Sequence, residues 1–244
     1  MSLVPYVHVD VVLAGRGEGD EVALDVEAHR HLRTVLRLGP GARCHLADGA
    51  GSHAPARLEE SGARLVGAAV TEPPPRPRLV VAQALARGRK FDEVVRMTTE
   101  LGCDAVVPVG AARSVAKLEG KADKVLARWQ AVARSAAEQS RRPYRPRVEP
   151  VVGTSAIVAR RAEILVAHPG GAPLHRTAVR LADVAEIVLA IGPEGGWTDE
   201  EVDELVAGGA QPVGLGPAVL RTEHAAAAGL ALLNALTGRW DAAT

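Results

Sequence analysis

IGPEGGWTDEE, Ile191 to Glu201, decides how the second half of this chain folds. An apolar run, EIVLA, stands before it, and apolar residues return after it at helical spacing. A buried strand therefore leaves through Gly-Pro-Glu-Gly-Gly and a helix begins. Three glycines and a proline in five residues suit a loop whose backbone approaches a ligand, although a plain tight turn has the same composition. Thr198 followed three residues later by Glu201 is a capping-box pattern. The spacing predicts a helix from Asp199 and a loop over Gly192 to Trp197. The loop is neither a Walker motif nor GxGxxG, so phosphate cradling is poorly supported.

Two more stretches repeat the pattern. HPGGAP, His168 to Pro173, follows the apolar EILVAH, and GPAVLRTEHAAAA, Gly216 to Ala228, follows QPVGLG. Three strand ends thus carry Gly/Pro-rich exits. In a parallel sheet such exits share one edge and converge on one pocket. Their backbone N–H and C=O groups suit the hydrogen-bonding edge of an adenine and a ribose.

Further out, the chain changes character once. The first seventy residues read as short strands with glycine-rich joints: VHVDVVL, EVALDV, ARCHLA, HAPARL and ARLVGAAV, with one helix at about Glu27 to Leu38. That pattern predicts a small β-barrel-like domain. TEPPPRPR, Thr71 to Arg78, has four prolines in eight residues and predicts an extended linker. Beyond it, LVVAQAL, AVVPV, EILVAH and EIVLAI alternate with helical segments at Phe91 to Leu101, Lys121 to Ser140, Thr198 to Ala207 and Thr222 to Leu236. Near-continuous apolar strands between helices predict an α/β domain with a parallel sheet covered on both faces.

Composition narrows the function classes. The chain has 244 residues, 47% of them hydrophobic and only 2% aromatic, so Ala, Val and Leu must build the core. Few aromatics disfavour a base-stacking single-strand-binding surface. Cys44 and Cys103 are the only cysteines. They suggest neither a disulfide scaffold nor metal ligation. The N-terminus lacks the features of a signal peptide, and no apolar run reaches membrane-spanning length. A soluble cytoplasmic protein is expected, with no membrane and no metal among its partners.

The zero net charge hides an asymmetry. Arg30, Arg33, Arg37 and Arg43 lie in a stretch without acids, and so do the five basic residues from Arg76 to Lys90. Six arginines from Arg128 to Arg147 face Glu138 alone, whereas Asp199, Glu200, Glu201, Asp203 and Glu204 crowd together. Basic clusters supply salt-dependent contacts to nucleic-acid backbones, and singly they are also ordinary solvated faces. The candidate RNA contacts are Arg30, Arg33, Arg37, Arg89, Lys90, Arg141, Arg142 and Arg145. Tyr144, in the proline-extended SRRPYRPR, is a candidate for stacking on a base.

IGPEGG followed by LGPAVLRTE, with the earlier HP stretch, resembles the SPOUT class of RNA methyltransferases. More narrowly it resembles the ribosomal RNA small subunit methyltransferase E family, which methylates 16S rRNA at uracil N3. HRHLRTVLRLGPGARCHLADG is similar to that family's N-terminal RNA-binding domain. RGRKFDEVVRMTTELGCDAVVPVGAARSVAK and RWQAVARSAAEQSRRPYRP are similar to its middle segments. The resemblance covers nearly the whole chain. It implies a PUA-like domain over residues 1–72 and a SPOUT-like domain with a trefoil knot over 73–244. It also implies a homodimer and 16S rRNA or the small ribosomal subunit as partner. It implies S-adenosylmethionine held by three knotted loops. Mapped here, these are Ala167, His168 and Pro169; then Ile191, Gly192, Pro193, Glu194, Gly195 and Gly196; then Leu215, Gly216, Val219, Leu220 and Arg221. Ala218 and His224 stand where the family usually has Arg and Thr, so no family role carries over to them.

Methyl transfer from a sulfonium is an in-line displacement that mainly demands alignment. Uracil N3 carries a proton, and a base or a charge-stabilising cation helps its departure. Arg221 and Glu194 are the candidate catalytic residues. The alternatives are a salt bridge from Arg221 to Glu223 and a loop-fixing hydrogen bond from Glu194. His168 reads as a loop-packing residue. Val219 and Leu220 are expected to anchor the third loop in the core, and Thr222 to cap the last helix. Ribose 2′-O methylation, a non-catalytic ribosome-assembly factor and a small-molecule nucleotide enzyme are the rival readings.

Overall fold

The computed structural model describes residues 4–114, 120–177, 181 and 184–241. The chain divides into two compact units, Met1–Pro74 with Ala137–Arg145, and Pro75–Ala136 with Pro146–Thr244.

In the first unit, β1 (Tyr6–His8), β2 (Glu21–Val22), β3 (Arg43–Ala47), β4 (Ser52–Leu58), β5 (Ala63–Leu65) and β6 (Val70–Thr71) form one sheet. The order is β1-β3-β4-β5-β2, with β6 also on β4, and only the β1–β3 pair is parallel. Strand β4 shows why: Ala54, Ala56 and Leu58 are buried while Pro55 and Arg57 between them are exposed, the period of a half-buried strand. The inward face packs with Val7, Leu13, Leu32 and Leu46 into a hydrophobic core. Asp25 caps α1 (Val26–His29) by accepting from the amides of Glu27 and Ala28. The helix then widens into a π-helical turn over Arg30–Val35, so the single helix expected to Leu38 is shorter and of two kinds.

The segment 137–145 fills this unit. His8 Nε2 meets the Arg142 carbonyl at 2.9 Å, and the Arg145 amide donates to Gly49 O at 3.0 Å. Tyr144 donates its hydroxyl to Glu72 O at 2.7 Å. A Cβ on Gly51 would lie 2.4 Å from the Tyr144 ring, at a φ of +109°. Tyr144 is therefore a packing residue, and the base-stacking role expected of it is not what its surroundings suit. Nearby, the His45 ring stacks on Tyr6 at 5.1 Å and its Nε2 lies 2.8 Å from His53 Nδ1. Burial, with smaller contributions from His53 and Arg141, pushes His45 down to about 4.

The second unit carries β7 (Arg78–Ala84), β8 (Ala105–Val109), β9 (Arg147–Val148), β10 (Glu163–Pro173), β11 (Glu186–Ile191) and β12 (Gln211–Gly214). All pair in parallel, in the order β12-β10-β11-β7-β8-β9. Alternation explains the continuous apolar runs. Leu79, Val81, Ile187 and Leu189 face one core, with Phe91, Trp129 and Leu230; Val80, Ala82, Val188 and Ala190 face the other, with Ile157 and Leu205. Each buried Leu or Ile contributes about 1.5–3 kcal/mol. The first core is covered by α2 (Lys90–Glu100), α3 (Ala122–Gln139) and α7 (Thr222–Leu236), the second by α4 (Ser155–Val158) and α6 (Asp199–Ala207). The short α5 (Leu174–Thr177) buries Leu174.

One expectation fails here. HPGGAP is not a strand exit: β10 runs through it to Pro173, and Ala167 and Ala172 both align with Val213. The register shifts across His168–Gly171, a bulge-like irregularity in which these residues oppose none on β12. Gly171 makes it possible, because a Cβ there would lie 2.4 Å from the Val213 backbone nitrogen.

Candidate active site

In open parallel sheets, ligands bind beyond the carboxyl ends of the strands, where the strand order reverses. Here that point lies between β7 and β11, since β8 and β9 continue to one side and β10 and β12 lie to the other. A buried hydrogen-bond chain joins the two strands. Gln83, wholly buried in β7, donates from Nε2 to Thr222 Oγ1 at 2.8 Å, and Thr222 donates onward to Gly192 O at 2.7 Å. Thr222 is the first residue of α7, not its cap. The N-cap is Arg221, which makes no side-chain capping bond because a guanidinium has no acceptor, and the Thr222 hydroxyl is spent on this chain.

The loop after β11 is held from both sides. Arg113 donates from one guanidinium nitrogen to Gly195 O and Trp197 O, both at 3.0 Å. Thr198 and Glu201 form the expected reciprocal capping box, and Glu201 also accepts from the Ala112 amide at 2.7 Å. Glu194 accepts from Lys90 Nζ at 3.2 Å and from the Arg87 amide at 3.3 Å. Partial burial pushes its carboxyl up, but its own backbone N–H, Lys90 and the Arg87 amide outweigh that and hold it below the usual carboxylate range. Lys90 Nζ also lies 4.0 Å from Oε2 of the buried Glu223.

The sheet edge brings together most of the pocket candidates. Ile191 is buried at the end of β11, and Gly192 packs under Trp197, with Pro193, Glu194, Gly195 and Gly196 beyond. Ala167, His168 and Pro169 lie on the bulged part of β10, where His168 Nδ1 accepts from the Gly170 amide at 3.1 Å, in keeping with a loop-packing role. Leu215 and Gly216 follow β12, and Gly216 has φ +132°. Val219 and Leu220 do not anchor their loop: they are 95% and 37% exposed. The short span between β12 and α7 is fixed instead by Thr222. Arg221 is exposed and has no partner among the described residues, and the pair with Glu223 is not formed.

The RNA candidates divide. Arg30 is exposed, 4.0 Å from Glu27, and Arg37 is exposed at φ +54°. Arg33 is spent on the carbonyls of Leu38 and Glu59. Arg89 is the exposed N-cap of α2, whereas Lys90 belongs to the carboxyl-edge cluster. Arg141 lies over the Tyr6 ring and bonds Val4 O. The carbonyl of Arg142 accepts from His8, and Arg145 pairs with Asp10 at 3.7 Å.

Sequence reasoning missed Gln83, Arg113 and the roles of Thr222 and Glu223. Gln83 had a signal, as the only polar side chain in LVVAQAL. Three buried atoms at this edge have no hydrogen-bond partner: Gln83 Oε1, Trp197 Nε1 and Glu223 Oε2.

A family model described as an RNA methyltransferase domain matches residues 72–234. The chain is 40% identical over 235 residues to ribosomal RNA small subunit methyltransferase E of Mycobacterium bovis, covering 92% of this chain and 90% of that one. The chain belongs to the RNA methyltransferase family. Two solved family-like structures are similar throughout. One, ribosomal RNA small subunit methyltransferase E of Neisseria gonorrhoeae bound to S-adenosylmethionine, gives a TM-score of 0.82 at 31% identity, covering 96% of this chain and 98% of that one. The other, a Legionella pneumophila methyltransferase with S-adenosylmethionine bound, gives 0.86 at 27% identity with the same coverage. This RNA methyltransferase thus shares their α/β architecture, with a parallel sheet and a separate mixed one.

Proposed function

We propose that the chain is an S-adenosylmethionine-dependent methyltransferase of small-subunit ribosomal RNA that methylates a uridine of 16S rRNA at N3. The observation that carries this is the edge at β7 and β11. Glycine-rich backbone from three neighbouring strands borders it, and the buried chain from Gln83 through Thr222 to Gly192 O ties β7, α7 and the loop after β11 together there. The donor pocket is read as Ala167 to Pro169, Ile191 to Gly196, and Leu215, Gly216 and Val219 to Arg221. Bound S-adenosylmethionine supplies a methyl group already activated by its sulfonium charge. The chain's own residues then have to align the acceptor and manage its proton. Arg221, exposed and unpartnered at the start of α7, is read as orienting the base and stabilising charge on a uracil oxygen. Glu194 is read as facing the pocket in its ionised form, where Lys90 and backbone N–H groups keep it.

Finer features of the family accompany this reading. The sequence boundaries, 1–72 as PUA-like and RNA-binding and 73–244 as SPOUT-like, are read onto the two compact units, the first of which also takes in Ala137–Arg145. A trefoil knot is supported by α7 packing on β11 and β7, with Gly229 against Leu189, after the chain has left β12 on the far side of β10. A homodimer is supported by the exposed apolar Val219, Leu220, Leu232 and Trp240. No helix of the described residues is long and apolar enough to cross a membrane, and action in the cytoplasm, where ribosomes are made, completes the proposal.

Incubation with 16S rRNA or small subunits and labelled donor, followed by mass spectrometry of the nucleosides, tests it. Labelled 3-methyluridine is the expected product. A label on a ribose 2′-oxygen, or none with either substrate, overturns the uracil assignment.

A further inference from the structure

Lys90 is out of place by the usual rule. It is the first residue of α2, where the helix dipole disfavours a cation. Asp92 and Glu93 supply the acids normally found in that turn, and Asp92 is engaged by Arg128 and Trp129. Lys90 instead reaches across the carboxyl edge to two carboxylates from different elements. Glu194 holds it with a 3.2 Å hydrogen bond, and Glu223 stands 4.0 Å away. Glu223 is 5% exposed, and its Oε2 makes no hydrogen bond. A carboxylate at Glu223 suits the first turn of α7. That placement does not explain why a buried oxygen is left facing an ammonium beyond bonding distance. A buried carboxylate that meets its cation only as a long ion pair is costly, so it is kept where it acts on that neighbour. The Lys90 side chain is 38% exposed, whereas that of Glu223 is 6% exposed, so the cation is the solvent-facing member of this pair.

We propose that Lys90 is a second catalytic cation of this enzyme and that Glu223 is its positioning residue, holding the ammonium at the β7–β11 edge against the acceptor base. This rests on the uracil reading. In the transfer, the N3 proton passes to water. The N3 electron pair forms the bond to the methyl carbon as the carbon–sulfur bond breaks and its pair goes to sulfur. Negative charge grows on the uracil oxygens as the proton leaves, and Lys90 stabilises it. The charged groups around Lys90 are Glu194 from the loop after β11, Glu223 from α7 and, on its own element, the adjacent Arg89.

The test compares wild type with Lys90→Met, Lys90→Arg and Glu223→Gln in single turnovers, with saturating donor and rRNA, across pH. Calorimetry follows donor affinity, and filter binding follows RNA affinity and its salt dependence. Lys90→Met is expected to lose about a hundredfold in rate at neutral pH, with donor affinity unchanged. The loss should shrink as pH rises, because base that is already deprotonated needs the cation less. Lys90→Arg should recover part of the rate. Glu223→Gln, nearly isosteric, should lose about tenfold with the same pH dependence, as expected when a positioning contact is removed. A loss that is equal at every pH means a structural role and overturns the assignment. So does a loss of donor affinity that accounts for the rate, or weakened RNA binding with full rate at saturation. Wild type that methylates a ribose oxygen overturns the uracil reading and this inference together. Wild-type methylation of N3 with unaltered Lys90 variants overturns this inference alone.

Discussion

Gly171 and Thr222 show how single residues fix the pocket. A methyl group at Gly171 would strike the β12 backbone, which cannot swing aside as a side chain does. Gly171→Ala should therefore lower stability by about 1–3 kcal/mol, the range for overpacking a tight site, and weaken donor binding because β10 must part from β12. Chemical denaturation together with calorimetry checks both. Thr222→Val keeps the shape but removes the hydroxyl that accepts from Gln83 and donates to Gly192 O. Stranding those buried groups should cost about 1–3 kcal/mol, visible as a lower urea midpoint. His45 gives a pH prediction. Its pKa in the folded chain, about 4, is below the roughly 6.5 of an unfolded histidine. The unfolded chain therefore binds more protons between those values. Stability should be fully present above about pH 6.5 and fall as the pH drops toward 4. His45→Phe should flatten that part of a melting-temperature profile, and an unchanged slope would rule His45 out as its source.

At the scale of elements, the strands were the most legible part of the sequence. LVVAQAL, AVVPV and EIVLAI are apolar at nearly every step because both faces of the sheet are covered, and that leaves little room for another reading. The helix starting at Asp199 was legible because Thr198 and Glu201 cap it through adjacent backbone. The end of β10 was not legible. Glycine and proline in HPGGAP signal a turn, and only the partner strand turns them into a bulge. Nor was the cluster of Gln83, Lys90, Glu194, Thr222 and Glu223, which parallel register gathers from distant stretches. The loop after β11 depends on a residue far from it in sequence. Arg113→Ala should free the Gly195 and Trp197 carbonyls and weaken donor affinity several-fold, with little change in melting temperature, since Arg113 is exposed. Donor affinity at the wild-type value would mean the loop holds itself.

For the whole molecule, RNA affinity should be electrostatic. Arg30 and Arg37 have free or weakly held guanidinium groups, whereas Arg33 is tied to backbone carbonyls. Replacing Arg30 and Arg37 with Ala should reduce the salt slope of RNA binding by roughly 0.7–0.9 for each phosphate no longer neutralised, without moving donor affinity. An unchanged slope makes both ordinary surface residues. Arg33→Ala belongs to a different class, and its first effect should be on the stability of the first unit.

The membership of residues 137–145 in the first unit has a consequence for synthesis on the ribosome. The leading seventy-four residues emerge first, yet the partners of His8, Gly49 and Gly51 are still inside the tunnel or not yet polymerised. Native closure of the amino-terminal unit must wait for Arg145, by which time β7 and β8 are already outside. Nascent chains halted before Ala137 should therefore expose that unit to protease, and chains halted well beyond Arg145 should protect it.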